Sequence, residues 1–440
     1  MSDTQQSMDD EKNLFIQQSV NTTPAIEGLE RPATVFLSYA REDTEAIGEL
    51  QLRLNVRGVV CWRDADDLLS GSLFEGEIIQ AIKHDADAVA ILLTPISLTS
   101  DFIWNTEIPV ALERQAHDPH FHVVPILQDV SFKEVEQRCS DRNLPDLTRF
   151  QAIELTDDGT ATNEEGRQAR WNEAARLILK SALAVRLRRV NADRNRSYEP
   201  WISLKTFAST PPTVHLDLDL DWLKVVYEKE RLPTPQEWKH VLLPALRDVK
   251  QSISEKVPSR RIHVLVQSIL PIAIALGFIF RKTARITLLI EGQQETWSSG
   301  TQSLEKDPLH VEWLDTGQGD QREAVIAVNA ARNRFIRQSV VDALPVLNLT
   351  PGYHAYLSHP ASSSTGMRDA VHAQAIAEQV GQVAQELSDL HRVKHIHLFI
   401  AAPVELAVLI GHQLNALCPI TLYEYAQGTY TPVGTLESKD

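Results

Sequence analysis

The chain has 440 residues, 43% hydrophobic and 23% charged, enough apolar content for two or three domains that each bury a core. Its formal charge of −16 argues against a protein that coats nucleic acid through nonspecific phosphate contacts, while leaving room for a local pocket that takes a small anion. The three cysteines, Cys61, Cys139 and Cys418, are far apart and form no CxxC pair, which argues against a disulfide framework or a cysteine zinc site and fits the cytoplasm.

Residues 1–31 are polar and acidic without sustained periodicity and are expected to form a mobile arm, with neither the basic start nor the apolar run of an export signal. From Thr34 onward, short apolar runs alternate with helical patterns. The expected order is strand 34–38, helix 44–57, strand 59–62, helix 74–84, strand 88–93, a helix around 108–115 and strand 122–127. Strands alternating with helices imply a parallel, doubly wound sheet with helices on both faces, and such sheets hold ligands at the carboxyl ends of their strands.

Residues 157–166 (DDGTATNEEG) lack apolar content and predict a loop. Residues 167–189 carry Trp171, Ala174, Ala175, Ile178, Leu179, Ala182 and Leu183 at helical spacing, so a connecting helix is expected there. The polar stretch 191–198 predicts a boundary. The reading divides the chain into an arm (1–31), a first domain (32–156), a linker with its helix (157–197) and a second domain (198–436). Residues 262–280 form the one run that imitates a membrane span, but His263, Gln267, Ser268 and Pro271 interrupt it.

The second domain contains a repeat. IHVLV at 262–266 matches IHLFI at 396–400, Ala273 matches Ala407, Gly277 matches Gly411, and ITL at 286–288 matches ITL at 420–422, all at one offset of 134 residues. Two copies of one α/β unit are expected, with Pro271 and Pro403 at helix starts and the two glycines allowing close packing of helix on sheet. Two such units side by side form a shared cleft.

No GxGxxG follows the first strand and no GxxxxGK[ST] occurs, so hydride transfer and P-loop chemistry lack their phosphate loops. The histidines of HDPHFH (117–122) have no acidic partner at metal-ligand spacing. Three boxes instead resemble a TIR domain: TVFLSYAREDTE (34–45), VVCWRDADDLLSGSLFEGEIIQAI (59–82) and ILLTPISLTSDFIWNTEIPVA (91–111). The resemblance implies a flavodoxin-like domain that cleaves the nicotinamide–ribose bond of NAD, with Glu107 as the catalytic carboxylate. Loss of nicotinamide leaves a cationic, oxocarbenium-like ribose, which a carboxylate beside the ribose hydroxyls stabilises. By residue type alone, Glu107 better suits a helix N-terminus, with Thr106 as cap and Pro109 in the first turn, and it is the motif context that turns the reading to catalysis. Trp104 precedes Glu107 by three residues, where family members often have a tryptophan at four.

Further substrate-binding candidates are Ser38, Tyr39 and Ala40 at the end of the first strand, and Trp62, Arg63 and Asp64 opening a loop that Gly71 turns. Ser97 and Trp104 lie just before the glutamate. Strand-end capping and a solvated charge pair are the plain alternatives for Ser38 and for Arg63 with Asp64. In the family this loop helps form a site shared between protomers, which implies self-association into an oligomer or filament.

Residues 198–436, above all HIHLFIAAPVELAVLIGHQLNALCPITLYEY (395–425), resemble a SAVED domain, a fusion of two CARF-like Rossmannoid units found in CBASS antiphage systems. The resemblance implies an activating cyclic di-, tri- or tetranucleotide such as a cyclic oligoadenylate. NAD is then the substrate, with no separate cofactor, no metal, no duplex nucleic acid and no membrane. Candidate ligand contacts are Gln267 and Ser268 in the first unit, Ala402 and Pro403 in the second, and Ser358, Ser364, Thr365 and Arg368 in the loop SHPASSSTGMR, where hydroxyls and a guanidinium precede a long helix. Tyr356, Tyr423 and Tyr425 are candidates for stacking on bases or for plain packing. Two other functions stay open: a TIR domain that only mediates contacts, and a nucleosidase acting on other N-glycosidic bonds.

Overall fold

The computed structural model describes residues 31–62, 74–150, 152–155, 164–190, 197–208, 212–226, 231–292, 295–331, 336–359, 367–415 and 418–440. The N-terminal arm up to residue 30, Arg63, Asp64, Gly71, Ser364 and Thr365 lie outside them.

The first domain runs β1 (Thr34–Ser38), α1 (Thr44–Asn55), β2 (Val60–Trp62), α2 (Phe74–Gln80), β3 (Ala88–Leu93), α3 (Ile108–His117), β4 (His122–Leu127), α4 (Phe132–Asp141) and β5 (Ile153–Glu154). Its five strands are parallel in the order β2-β1-β3-β4-β5. Every residue of β1 and of β3 is buried, as expected for strands covered by helices on both faces. The strand order reverses at β1, and doubly wound sheets hold ligands beyond the carboxyl ends of the strands at such a reversal.

The connecting helix α5 (Glu164–Arg189) lies against α1 and against α6 (Leu243–Lys256) of the second domain. Both domains share one continuous apolar cluster, in which Leu54 and Val56 join Leu218 and Trp222.

The second domain holds β6 (Trp201–Lys205), β7 (Leu218–Asp221), β8 (Arg261–Gln267), α7 (Leu270–Ile279), β9 (Thr287–Glu291) and β10 (Thr296–Ser298). There follow β11 (His310–Asp315), β12 (Asp320–Asn329), α8 (Ile336–Val346), β13 (Pro351–Ser358), α9 (Ala370–Asp389), β14 (His395–Ala401), α10 (Val404–Gln413), β15 (Ile420–Ala426) and β16 (Thr429–Leu436). Two sheets result, β10-β9-β8-β6-β7 and β11-β13-β12-β14-β15-β16. The repeated segments are β8-α7-β9 and β14-α10-β15, each followed by an antiparallel strand, β10 and β16. Mixed sheets therefore replace purely parallel ones at the edges.

The repeat glycines serve a contact different from the expected helix-on-sheet packing: α7 and α10 lie directly on each other. A Cβ on Gly277 would fall 2.0 Å from the Val408 carbonyl oxygen, and one on Gly411 would fall 2.0 Å from that of Ile274. The apolar run 262–280 is thus a strand of the first of these sheets and a ten-residue helix, almost wholly buried, that packs on its repeat counterpart. Among the described residues, no helix is long and apolar enough to cross a membrane.

Candidate functional site

The candidate residues of the first domain gather where β1 and β3 end. Ser38, the last residue of β1, donates its hydroxyl to Glu107 Oε2 at 2.5 Å. Glu107 is only 5% exposed and closes a wide π turn over Ile103–Glu107, in which the Ile108 N–H reaches back to the Ile103 carbonyl. Proline explains that turn. Pro109 lacks an N–H, and its ring crowds the carbonyl four residues earlier, so the preceding turn widens. The same device recurs before Pro244, where the π turn Trp238–Leu242 leaves the His240 carbonyl to accept from Asn172 Nδ2 at 2.7 Å.

Ser97 and Trp104 lie behind this surface and shape it from within. Ser97 is fully buried, exchanging hydrogen bonds with Thr94, whose N–H donates to Ser97 Oγ at 2.7 Å. The Trp104 indole, 1% exposed, donates to the Ser97 carbonyl at 3.0 Å. Thr94 in turn donates to Asp43 Oδ2 at 2.7 Å, bringing a second carboxylate to the strand ends. Tyr39 and Ala40 are buried beside Ser38, and Trp62 stacks on Phe36 with ring centroids 5.1 Å apart. Asp43 and Thr94 were missed from sequence, because a threonine and an aspartate in two separate loops carry no local motif.

The second domain gathers its candidate residues where β8 and β14 end and α7 and α10 begin. Ser268 is buried and donates to the Ile269 carbonyl, while the Ile269 N–H donates to Thr206 Oγ1 at 3.2 Å. Gln267 is exposed, and its carbonyl accepts from the Thr206 N–H. The β15–β16 hairpin of the second unit leans over the first unit's strand ends. Thr206, Phe207, Ile269, Gln427 and Thr431 enclose a hollow of about 820 Å³ there. On the other side, Gly292, Glu295 and Trp297 of the β9–β10 hairpin meet Arg368, Pro403 and Glu405 around about 380 Å³.

Between these, Ala401, Ala402 and Tyr425 border a smaller hollow of about 240 Å³. Tyr425 is 42% exposed at its rim, whereas Tyr356 and Tyr423 are packed into the core. Arg368 pairs with Glu305, and the first turn of α9 is held by Asp369, which accepts from the His372 N–H, and by Glu295, which accepts from the Ala370 N–H. Ser358 faces a separate groove between β11 and α9, near His310 and Gln379. The structure thus sets Gln267 and Ser268 at the end of β8, Ala402 beside one hollow and Pro403 with Arg368 beside another, and it places Ser358 apart at a third.

The two domains are locked together. The Ala33 N–H donates to the Asp217 carbonyl, and the Asp219 N–H to that of Gly58, where φ of +84° and a Leu218 Cβ 2.7 Å from the position of an added Cβ leave room for glycine alone. Arg57, fully buried, donates twice to Asp248 Oδ2 at 2.7 and 2.9 Å and once to Asn172. Burial pushes the Asp248 acid up and the Arg57 guanidinium down, each opposed by the other's charge. Asp217, also fully buried, accepts from Arg186, the Tyr198 hydroxyl and the Trp201 N–H.

Family models match both halves of the chain. A family model described as TIR domain matches residues 35–170, and one described as SMODS-associated and fused to various effectors sensor domain (SAVED) matches residues 245–436. CD-NTase-associated protein 4 from Acinetobacter sp. is 23% identical over 53% of this chain and 48% of its own length. Its namesake from Moraxella osloensis is 22% identical over 54% and 49%. The chain therefore spans about half the length of the curated relatives it matches. Among solved structures, the Acinetobacter baumannii Cap4 SAVED/CARF-domain containing receptor with the cyclic trinucleotide 2'3'3'-cAAA covers 90% of this chain and 98% of its own, at 16% identity and a TM-score of 0.46.

Proposed function

We infer that this chain, which joins an N-terminal TIR domain to a C-terminal SAVED domain, is a CBASS effector whose TIR domain cleaves NAD when its SAVED domain binds a cyclic oligonucleotide. The observation that carries the reading is the Ser38–Glu107 hydrogen bond at the carboxyl ends of β1 and β3, the place where doubly wound sheets hold nucleotides.

In the proposed reaction the bond between ribose C1′ and the pyridinium nitrogen breaks. Its electrons pass to the nicotinamide ring, neutralising the pyridinium charge. The positive charge moves to the ribose, where Glu107 faces the hydroxyls and offsets it as it grows. Water then adds at C1′ and loses a proton, giving ADP-ribose, or a ring nitrogen of the adenine attacks and gives a cyclic form. Ser38 holds the carboxylate in one orientation, so no reorientation is needed at the moment of charge separation. The wall formed by Thr94, Ser97 and Trp104 fixes the turn that presents Glu107.

Control follows from the cleft between the repeated units. A cyclic oligonucleotide seated there meets the starts of α7 and α10 and the two hairpins, and the liganded surfaces bring copies of the chain together so that neighbouring TIR domains complete one another's sites. NAD consumption in an infected cell then supplies antiphage defence.

A second reading, a TIR domain that only mediates contacts, is favoured by the 5% exposure of Glu107. Nicotinamide release by the purified chain, with and without a panel of cyclic di-, tri- and tetranucleotides and with nucleosides as competing substrates, separates the three readings.

A further inference from the structure

The residue that opens α1 turns its side chain away from its own helix. Asp43 is the N-cap of α1, a position where an aspartate ordinarily takes an N–H of the first turn, yet its carboxylate makes no capping bond. A tight turn over Arg41–Asp43 leads directly into the helix, with the Asp43 N–H donating to the Ala40 carbonyl at 2.8 Å. The carboxylate crosses instead to the end of β3, where Oδ2 accepts from the Thr94 hydroxyl at 2.7 Å.

That bond sets the direction of a longer chain of contacts. A hydroxyl has one proton to give. The Thr94 proton is committed to Asp43, so the Thr94 oxygen is left to accept, and it takes the Ser97 N–H at 3.0 Å. The Ser97 carbonyl takes the Trp104 indole N–H, also at 3.0 Å. Trp104 lies in the π turn that ends at Glu107. Thr94, Ser97 and Trp104 are buried, whereas Asp43 is half-buried at the rim. A hydrogen bond to a carboxylate is stronger than a neutral one, and breaking this one leaves a buried hydroxyl without its acceptor.

We propose that Asp43 is a positioning residue for Glu107: it fixes the Thr94 hydroxyl and, through Ser97 and Trp104, the turn that aims the carboxylate, without itself touching substrate. This rests on the reading of the first domain as an NAD-cleaving enzyme. The β1–α1 connection then holds Glu107 from two sides, with Ser38 binding its carboxylate and Asp43 bracing its backbone. The requirement at position 43 is an acceptor with no competing proton on the same atom. An asparagine carbonyl oxygen meets it and alanine does not.

The test compares the full chain as wild type, Asp43→Asn, Asp43→Ala, Thr94→Val and the Asp43→Ala/Thr94→Val double variant. Two quantities are measured: nicotinamide release from NAD with the cyclic nucleotide that gives the fastest wild-type release, and hydrogen exchange of backbone amides 97–108 in the unliganded chain by mass spectrometry. Asp43→Ala should lower kcat ~10-fold, within the scale of a misplaced reacting group, and leave KM for NAD within about twofold, as expected for an interaction that matters in the transition state. Thr94→Val should match it, and the double variant should be no slower than either single one, because all three break the same bond. Asp43→Asn should recover to within about threefold of wild type on the same reasoning. Exchange over 97–108 should quicken in Asp43→Ala and return in Asp43→Asn, with exchange in β12 and β14 unchanged. Losses that multiply in the double variant, an asparagine variant as slow as the alanine one, or a raised KM with kcat intact overturns the positioning role. Unchanged exchange over 97–108 in Asp43→Ala overturns it whether or not the chain cleaves NAD. A wild-type chain that releases no nicotinamide with any cyclic nucleotide overturns the enzymatic reading, and the role of Asp43 with it.

Discussion

Gly277 and Gly411 are each other's counterparts in a reciprocal contact: each faces a carbonyl oxygen of the opposite helix, and those carbonyls, of Val408 and Ile274, are themselves 134 residues apart. The internal repeat of the sequence is therefore a pseudo-two-fold axis in the fold. It passes between α7 and α10.

Alanine at either glycine gains helix propensity of up to ~1 kcal/mol, but its Cβ meets backbone and not a flexible side chain. The clash decides the sign. Gly277→Ala and Gly411→Ala are each expected to destabilise the chain by ~1–3 kcal/mol or more, seen as a lower melting temperature. An unchanged melting temperature would mean that the two helices separate at no cost.

The Arg57–Asp248 pair joins the two domains where both side chains are largely withdrawn from water. Arg57→Ala strands a carboxylate in that seam, at a cost on the order of 3–5 kcal/mol. Urea unfolding followed by fluorescence and by far-UV circular dichroism should show coincident transitions in the wild type and separated ones in the variant.

Acid should weaken the second domain through two buried histidines. Burial pushes His397 and His412 down to about 4, against an ordinary value near 6.5. The unfolded chain then binds protons that the folded chain does not, so stability is fully present above pH 6.5 and is lost as pH falls toward 4. Glu424 runs the other way, since its raised acid removes stability as pH rises from about 4.5 to 7. Melting temperature against pH, compared between wild type, His412→Gln and Glu424→Gln, should show the acid-side slope shrink in the first variant and the opposing slope vanish in the second.

Much of the first domain was legible because its strands are unbroken apolar runs: the expected strands 34–38, 88–93 and 122–127 coincide with Thr34–Ser38, Ala88–Leu93 and His122–Leu127. The repeat was legible because one offset carried a strand, a helix and a strand. What stayed hidden depends on long-range partners. Glu424 in sequence is one acidic residue in an alternating strand, and only the fold places Leu270 above it. The Arg57–Asp248 pair spans 191 positions. The π turn before Glu107 was hidden for a different reason: Pro109 signals a disturbed helix, but not that the chain absorbs it by widening the turn before.

Ser38→Ala should leave the fold intact while releasing Glu107 from its fixed orientation. Turnover of NAD is expected to fall by up to ~10²-fold, the scale of a misplaced reacting group, with ligand binding in the second domain unchanged by calorimetry.

Ligand-gated NAD cleavage is read out by nicotinamide release from NAD by the purified chain across a panel of cyclic di-, tri- and tetranucleotides, with Glu107→Gln alongside. Release is expected with a particular cyclic oligonucleotide, and it should be lost in Glu107→Gln, which should still bind that activator. Release that persists in Glu107→Gln, or none with any ligand although one of them binds, would contradict it.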